Sequence, residues 1–145
     1  MKIFLILVAL FPLGVAYFRL DSAIDPIKML YSTTGIGSIV LLLLSLFPSF
    51  CKRICHINQL RYRKTLGLLS FLYALLHVSV FIVLDSECDF VSIFEKSLKK
   101  PFIYIGLIAF MIMLLMALTS TKRSFARFSK YHKAVYLALI LALIH

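Results

Sequence analysis

Two histidines lie in long apolar stretches and are the most informative residues of the sequence. His77 lies within the stretch LGLLSFLYALLHVSVFIVL, which contains no charged residue, and His145 follows a second apolar stretch, AVYLALILALI. An imidazole ring in hydrocarbon is costly, so histidines inside a membrane are candidate functional residues. Two imidazoles at one depth on two helices are what a haem with two histidine axial ligands requires.

The spacing of these histidines places them at matched depth. His77 lies about 12 residues, or about 18 Å, from the start of its apolar stretch. His145 lies 12 residues after Lys133, which begins the other stretch. The sequence therefore predicts one haem held between the third and fifth helices, with His77 and His145 as ligands of the haem iron.

A third histidine and an arginine lie near the opposite ends of the same two helices. His132 precedes His145 by 13 residues, so a second haem there would lie about 20 Å from the first. The corresponding position beside His77 is Arg63, which shares a helix face with it. Arginine stays protonated and is a poor iron ligand, but it suits haem propionates or a flavin phosphate. We therefore count His132 as a candidate haem-iron ligand and Arg63 as a candidate cofactor-binding residue.

Each histidine also has a simpler interpretation. His132 and His145 lie about 140° apart on an ideal helix, so both can face the third helix only if the fifth helix is irregular or begins after His132. His132 would otherwise be an interfacial histidine in a basic loop. His77 could hydrogen-bond a neighbouring helix without binding a metal, and His145, as the last residue, could be exposed.

The composition indicates a membrane protein. The 145 residues are 62% hydrophobic and 15% charged, with a mean hydropathy of +1.00, more apolar surface than a soluble domain of this length could bury. Five apolar stretches, at about residues 2–18, 35–50, 65–84, 102–118 and 133–145, approach the length of a membrane-spanning helix. We therefore predict an all-α, polytopic bundle of five transmembrane helices forming a single domain over residues 1–145.

The distribution of charge predicts the orientation in the membrane. The net charge is +10, but the basic residues cluster in two loops that contain no acid, as the positive-inside rule requires of cytoplasmic loops. These loops contain Lys52, Arg53, Arg61, Arg63 and Lys64, and Lys122, Arg123, Arg127, Lys130 and Lys133. All six acidic residues lie in the other two loops. We expect a cytoplasmic N-terminus, a membrane-lipid environment and no nucleic-acid partner.

Three further features of the sequence refine this interpretation. The sequence has no C-x-x-C-H motif, so a bound haem would be held non-covalently, as haem b. Gly106, near the outer end of the fourth helix, is typical of a close helix contact. Residues 1–18 could be a signal peptide, but no small-x-small cleavage site follows them, which favours a retained helix.

With these residues in view, the chain resembles the ferric-reductase-like transmembrane family, and within it the bacterial haem-binding members that serve methionine sulfoxide repair. The resemblance covers essentially the whole chain in order. It rests on Phe11-Pro12-Leu13, Thr34-Gly35, Arg63 followed by Gly67, Leu76-His77, Lys100-Pro101, Leu118-Thr119-Ser120, Tyr131-His132-Lys133 and Ile144-His145.

The resemblance implies haem b, often with an associated flavin mononucleotide (FMN), in a bacterial inner (plasma) membrane protein. It implies that electrons pass outward, from a quinone or a flavin reductase, to a periplasmic molybdenum-containing methionine sulfoxide reductase subunit. His77, His132 and His145 match the family's three histidines, and Arg63 matches its arginine. The family continues with a sixth helix, whereas this sequence ends at His145, so the domain is expected to be truncated at its C-terminus.

Three functions from different classes are compatible with these features. The first is an electron-transfer subunit of an oxidoreductase system, which is not itself the catalytic subunit. The second is a small proton-coupled transporter in which His77 relays protons, and the third is a non-catalytic membrane assembly protein. The paired histidines favour the first function, and the absence of acids from the apolar stretches counts against the second.

The predicted orientation can be tested with reporter fusions. Reporters placed after Gln59 and Phe125 should be active on the cytoplasmic side, and reporters placed after Asp25 and Glu95 on the periplasmic side, because of the charge segregation. The opposite pattern would overturn both the orientation and the outward direction of electron flow.

Overall fold

The described part of the chain is helical. The computed structural model describes residues 2–19, 24–55, 60–85, 89, 95, 100–120 and 134–145. Its main helices are α1 (Lys2–Arg19), α2 (Pro26–Cys55), α3 (Leu60–Val80), α4 (Pro101–Leu118) and α5 (Ala134–Ile144). A short π-helical segment, Phe81–Asp85, continues α3, and no strand occurs within these ranges.

Three of the described helices are long and apolar enough to cross a membrane. Their candidate spans are Pro26–Pro48, Tyr62–Leu84 and Pro101–Leu118, and α5 is a shorter apolar helix. The prediction of an all-α membrane bundle is confirmed. The chain divides into two compact units, residues 1–88 and 89–145, so the prediction of a single domain stays a prediction.

Helix α2 begins earlier than its apolar stretch indicated. The sequence predicted its apolar part from residue 35, whereas the helix begins at Pro26. Asp25 caps it, because its carboxylate accepts a hydrogen bond from the Lys28 backbone N–H at 3.0 Å. Pro26, at the first helical position, is already restricted to helical φ. The first two turns mix apolar residues with Lys28, Ser32 and Thr33, and these polar residues interrupt the apolar pattern from which the start of the helix was predicted.

In the first unit, α2 and α3 are in close contact through polar and aromatic side chains. The hydroxyl of Ser70 donates to the carbonyl of Ser38 at 2.8 Å, and the hydroxyl of Ser38 donates to the carbonyl of Ser70 at 3.2 Å. One turn further along α3, the fully buried ring of Tyr73 lies against Gly37. Small residues at such a crossing let the two backbones approach, as in membrane helix pairs generally.

An apolar cluster continues this contact toward the basic end of the two helices. It consists of Leu41 from α2 with Leu66, Leu69 and Tyr73 from α3, and Leu13 of α1 packs against it. Helix α1 also contacts both α2 and α3. The first unit is therefore an α2–α3 hairpin joined by α1.

In the second unit, α4 packs against α5. Pro101 is the first residue of α4 and Lys100 before it is extended. The most buried side chains are Ala109 and Met113 on α4 and Val135 and Ala138 on α5. Two of these four residues, Ala109 and Ala138, are small, so the helices can lie close together at these positions.

The Gly37–Tyr73 contact generates a stability prediction. A methyl group on residue 37 would overlap the Tyr73 ring, so Gly37→Ala should destabilise the α2–α3 hairpin by about 1–3 kcal/mol, the usual cost of overpacking. The matched control is Gly67→Ala on α3, where an added methyl meets nothing within 4 Å. Thermal unfolding in detergent should show a lower midpoint for Gly37→Ala only. Equal midpoints for the two variants would contradict this account of the packing.

Candidate functional site

His77 lies near the C-terminal end of α3. This end of the α2–α3 hairpin is opposite the segment that connects α2 to α3. It is seven residues before Leu84, the end of its candidate span, which corresponds to about 10 Å along the helix. Its side chain is half-buried and turned toward α2, where Thr34, Tyr31 and Gly35 surround it. Three residues of the neighbouring helix therefore contact the ring.

The hydrogen bonds of Thr34 determine which nitrogen of His77 carries a proton. The Thr34 hydroxyl donates its single hydrogen to the Leu30 carbonyl, at 2.6 Å, a common arrangement for threonine inside a helix. The Thr34 oxygen also lies 3.3 Å from Nδ1 of His77. Since its hydrogen is already directed at Leu30, this oxygen can only accept from the ring. Nδ1 of a neutral His77 is therefore protonated, and the lone pair is on Nε2.

Two other residues of α2 fix the position of the His77 ring. The ring of Tyr31 meets it edge to face, with centroids 5.3 Å apart, a favourable aromatic geometry. A methyl group on residue 35 would lie 3.1 Å from Cε1, 3.2 Å from Nδ1 and 4.0 Å from Nε2 of His77. Gly35 therefore lets the Nδ1–Cε1 edge rest on the α2 backbone, and Nε2 lies further from it.

His145 has a similar environment in the second unit. It follows α5 directly, and its backbone N–H donates to the Leu141 carbonyl at 3.0 Å, which extends the helical pattern to the last residue. Its Nδ1 lies 2.6 Å from the backbone carbonyl of Phe102, near the start of α4. A carbonyl oxygen can only accept, so Nδ1 of a neutral His145 is also protonated and the lone pair is on Nε2.

A glycine and an aromatic ring again hold the imidazole. A methyl group on residue 106 would lie 2.5 Å from Cε1 and Nδ1 of His145, closer than packing allows. The Phe102 ring lies 5.8 Å from the imidazole, measured between centroids. The close helix contact predicted at Gly106 is confirmed, and the group that approaches the glycine is the histidine itself. The His145 side chain is exposed, as its simpler interpretation allowed.

The other two candidate residues are described less fully. Arg63 is half-buried on α3, 14 residues before His77, which corresponds to about 21 Å along the helix. His132 lies outside the described residues, so its role as a ligand stays a prediction. Since His77 and His145 belong to different units, their pairing also stays a prediction.

Sequence reasoning found the two histidines but did not find what orients them. Thr34, Gly35 and Phe102 carry no signal as ligands, and Phe102 acts through its backbone. The pair Thr34-Gly35, a hydroxyl next to a small residue in an apolar helix, is the feature that could have indicated a contact with a polar side chain. Within the described ranges, no three His, Cys, Asp or Glu side chains group as a metal site. In each unit the candidate histidine has its Nδ1 beside an oxygen atom of the neighbouring helix.

Most of the chain is similar to known proteins. Residues 34–143 match the family model described as ferric reductase like transmembrane component. The protein-methionine-sulfoxide reductase heme-binding subunit MsrQ of Brucella ovis is 35% identical over 125 residues, covering 83% of this chain and 57% of that relative. The MsrQ proteins of Brucella canis and Brucella suis match with the same values.

The chain therefore spans little more than half the length of these curated relatives. No solved structure matches it.

Proposed function

Since the chain belongs to the ferric reductase-like transmembrane component family and is a membrane protein, we propose that it is a haem-binding electron-transfer subunit. In this role it passes electrons from the cytoplasmic side or the quinone pool to a periplasmic, molybdenum-containing methionine sulfoxide reductase. The subunit itself carries no substrate chemistry. The names of the MsrQ relatives, which are heme-binding subunits of a protein-methionine-sulfoxide reductase, support a haem cofactor and a methionine sulfoxide reductase partner.

The observation that carries the proposal is the state of the two histidines. In each helix pair, Nδ1 of the imidazole lies within hydrogen-bond distance of an oxygen atom of the preceding helix, an arrangement that places the proton on Nδ1 and the lone pair on Nε2 when the ring is neutral. A ligating histidine normally donates its other N–H to the protein in this way, which fixes the tautomer and orients the ring. If His77 and His145 served only helix packing, there would be no need for both of them to present the same nitrogen.

The residues present fit a haem. Haem iron in an electron-transfer protein takes two axial ligands from the chain, and imidazole is a common choice. His77 and His145 would hold the iron, and since no C-x-x-C-H motif is present, the haem would be b-type. When bound, the haem would supply a carrier of one electron that alternates between ferric and ferrous iron.

The basic end of the helices would serve entry of electrons. Arg63 would bind a propionate or the phosphate of FMN, because guanidinium pairs with such anions through two hydrogen bonds. His132 would be a third candidate ligand of haem iron at that end. Both lie on the side that the charge pattern assigns to the cytoplasm of a bacterial inner membrane, with the N-terminus inside.

Exit of electrons would then occur at the opposite end. The segments connecting α2 to α3 and α4 to α5 are the basic ones, so the far ends of both hairpins would face the periplasm. His77 and His145 lie at those ends, which is where a periplasmic acceptor needs the haem.

Substitution of the histidines tests the proposal. His77→Ala and His145→Ala should each abolish haem binding, because loss of an axial ligand leaves the iron open, and at the half-buried position of His77 it also leaves an unfilled space. His132→Ala should cost less haem, since its partner position holds Arg63, and Arg63→Ala should keep the haem but impair its reduction from the cytoplasmic side. Haem content after expression with a haem precursor is read from reduced-minus-oxidised spectra.

The fourth histidine provides a matched control. His56, between α2 and α3, has no assigned role, and His56→Ala should bind as much haem as the parent chain. Absence of a Soret band from the parent chain would refute the proposed function. If His132→Ala removed as much haem as His77→Ala, the pairing of His77 with His145 would be wrong.

A further inference from the structure

We propose that Thr34 is a positioning residue for His77, and that the Phe102 carbonyl does the same for His145, so that both histidines ligate iron through Nε2. The inference rests on the proposed function, because it assigns roles around the same haem. It adds a residue that fixes the ligating atom and tunes the iron without touching the cofactor.

The distances around the Thr34 hydroxyl show where its hydrogen is directed. At 2.6 Å, the bond to the Leu30 carbonyl is shorter than the 3.3 Å contacts of Thr34 Oγ1 with the Tyr31 carbonyl and with His77 Nδ1. The hydroxyl hydrogen is therefore directed along α2, and the oxygen turns a lone pair to the ring. With the opposite tautomer, two lone pairs would face each other in an apolar environment, which is costly.

Each imidazole ring also contacts a glycine of the neighbouring helix. The Nδ1–Cε1 edge of His77 rests on Gly35 and the same edge of His145 rests on Gly106. If either ring ligated iron through Nδ1, the iron would have to approach the Nδ1–Cε1 edge, which already lies against the neighbouring backbone. Orientation and tautomer thus select the same atom, Nε2, in both units.

The two acceptors differ in strength. The Phe102 carbonyl is 2.6 Å from its imidazole, whereas Thr34 is 3.3 Å from His77 and gains polarity by donating to Leu30. An acceptor at Nδ1–H makes the ligating nitrogen more basic, and a more basic ligand favours ferric iron. Thr34 therefore lowers the reduction potential of the haem, and it is the acceptor that a side-chain substitution can remove.

Thr34→Val tests the proposal, since valine keeps the shape but cannot accept a hydrogen bond. The variant should raise the haem reduction potential, weaken haem binding by about 10- to 100-fold and lower the Nδ1–H fraction of His77. Thr34→Ser, which retains the hydroxyl, should restore all three properties. The matched control is Thr33→Val on the preceding residue of α2, which should behave as the parent chain does.

The tautomer is measured on haem-free protein in lipid, by ¹⁵N nuclear magnetic resonance of labelled histidine at a pH where the rings are neutral. His77→Gln assigns the signal. A parent chain with a protonated Nε2 on His77 would overturn the proposal whether or not Thr34→Val folds. A Thr34→Val protein with the tautomer and potential of the Thr33→Val control would overturn it as well.

This measurement separates the two proposals. If the parent chain binds no haem but His77 has a protonated Nδ1 that Thr34→Val reduces, the proposed function and the ligation of iron fail, whereas the control of the His77 tautomer by Thr34 stands. If haem binds and Thr34→Val changes nothing relative to Thr33→Val, the positioning role fails and the proposed function stands.

The acceptor of His145 is a backbone atom, so a different variant tests it. Gly106→Ala should displace the ring from α4, break the bond to the Phe102 carbonyl and lower the Nδ1–H fraction of His145. Gly14→Ala is the control, since an added methyl there meets nothing within 4 Å. An unchanged His145 signal in Gly106→Ala would remove Phe102 from the proposal.

Discussion

A polar hydrogen placed in hydrocarbon must find an acceptor within the protein, because no water is there to provide one. This constraint accounts for the side-chain hydrogen bonds described between helices. Ser38 and Ser70 bond each other's carbonyls across the α2–α3 interface, and Nδ1 of His77 is held by the same helix pair further along. His145 meets the same requirement on α4. Once the N–H is bonded, each ring has a defined orientation and a defined lone pair, which is the property that a metal ligand needs.

The α2–α3 pair and the α4–α5 pair orient their histidines with different chemical groups. In each, the earlier helix supplies an aromatic residue and, four positions later, a glycine, and the later helix supplies the histidine that rests on that glycine. One acceptor is a hydroxyl and the other a backbone carbonyl. The glycine is the shared element, because only a residue without a side chain lets an imidazole edge lie directly on the helix backbone.

The sequence predicted the helices and the two histidines because apolar stretches and a polar ring within them are read directly from composition. It also predicted the close contact at Gly106, because a glycine within an apolar helix is typical of such contacts. The start of α2 was missed because Lys28, Ser32 and Thr33 interrupt the apolar pattern of its first turns, although the Asp25-Pro26 cap motif itself was readable. The partners of the histidines were not predictable, since Thr34 and the Phe102 carbonyl become specific only when α2 meets α3 and α4 meets α5.

The central claim is that one haem iron is held by two imidazoles of this chain. Electron paramagnetic resonance of the oxidised, haem-loaded protein, with ¹⁵N-labelled histidine, reports on it most directly, because the coupling of ligating nitrogens to the iron can be resolved. The account predicts a low-spin ferric centre coupled to two histidine nitrogens. A high-spin centre, or a low-spin centre coupled to one histidine nitrogen or to none, would contradict it.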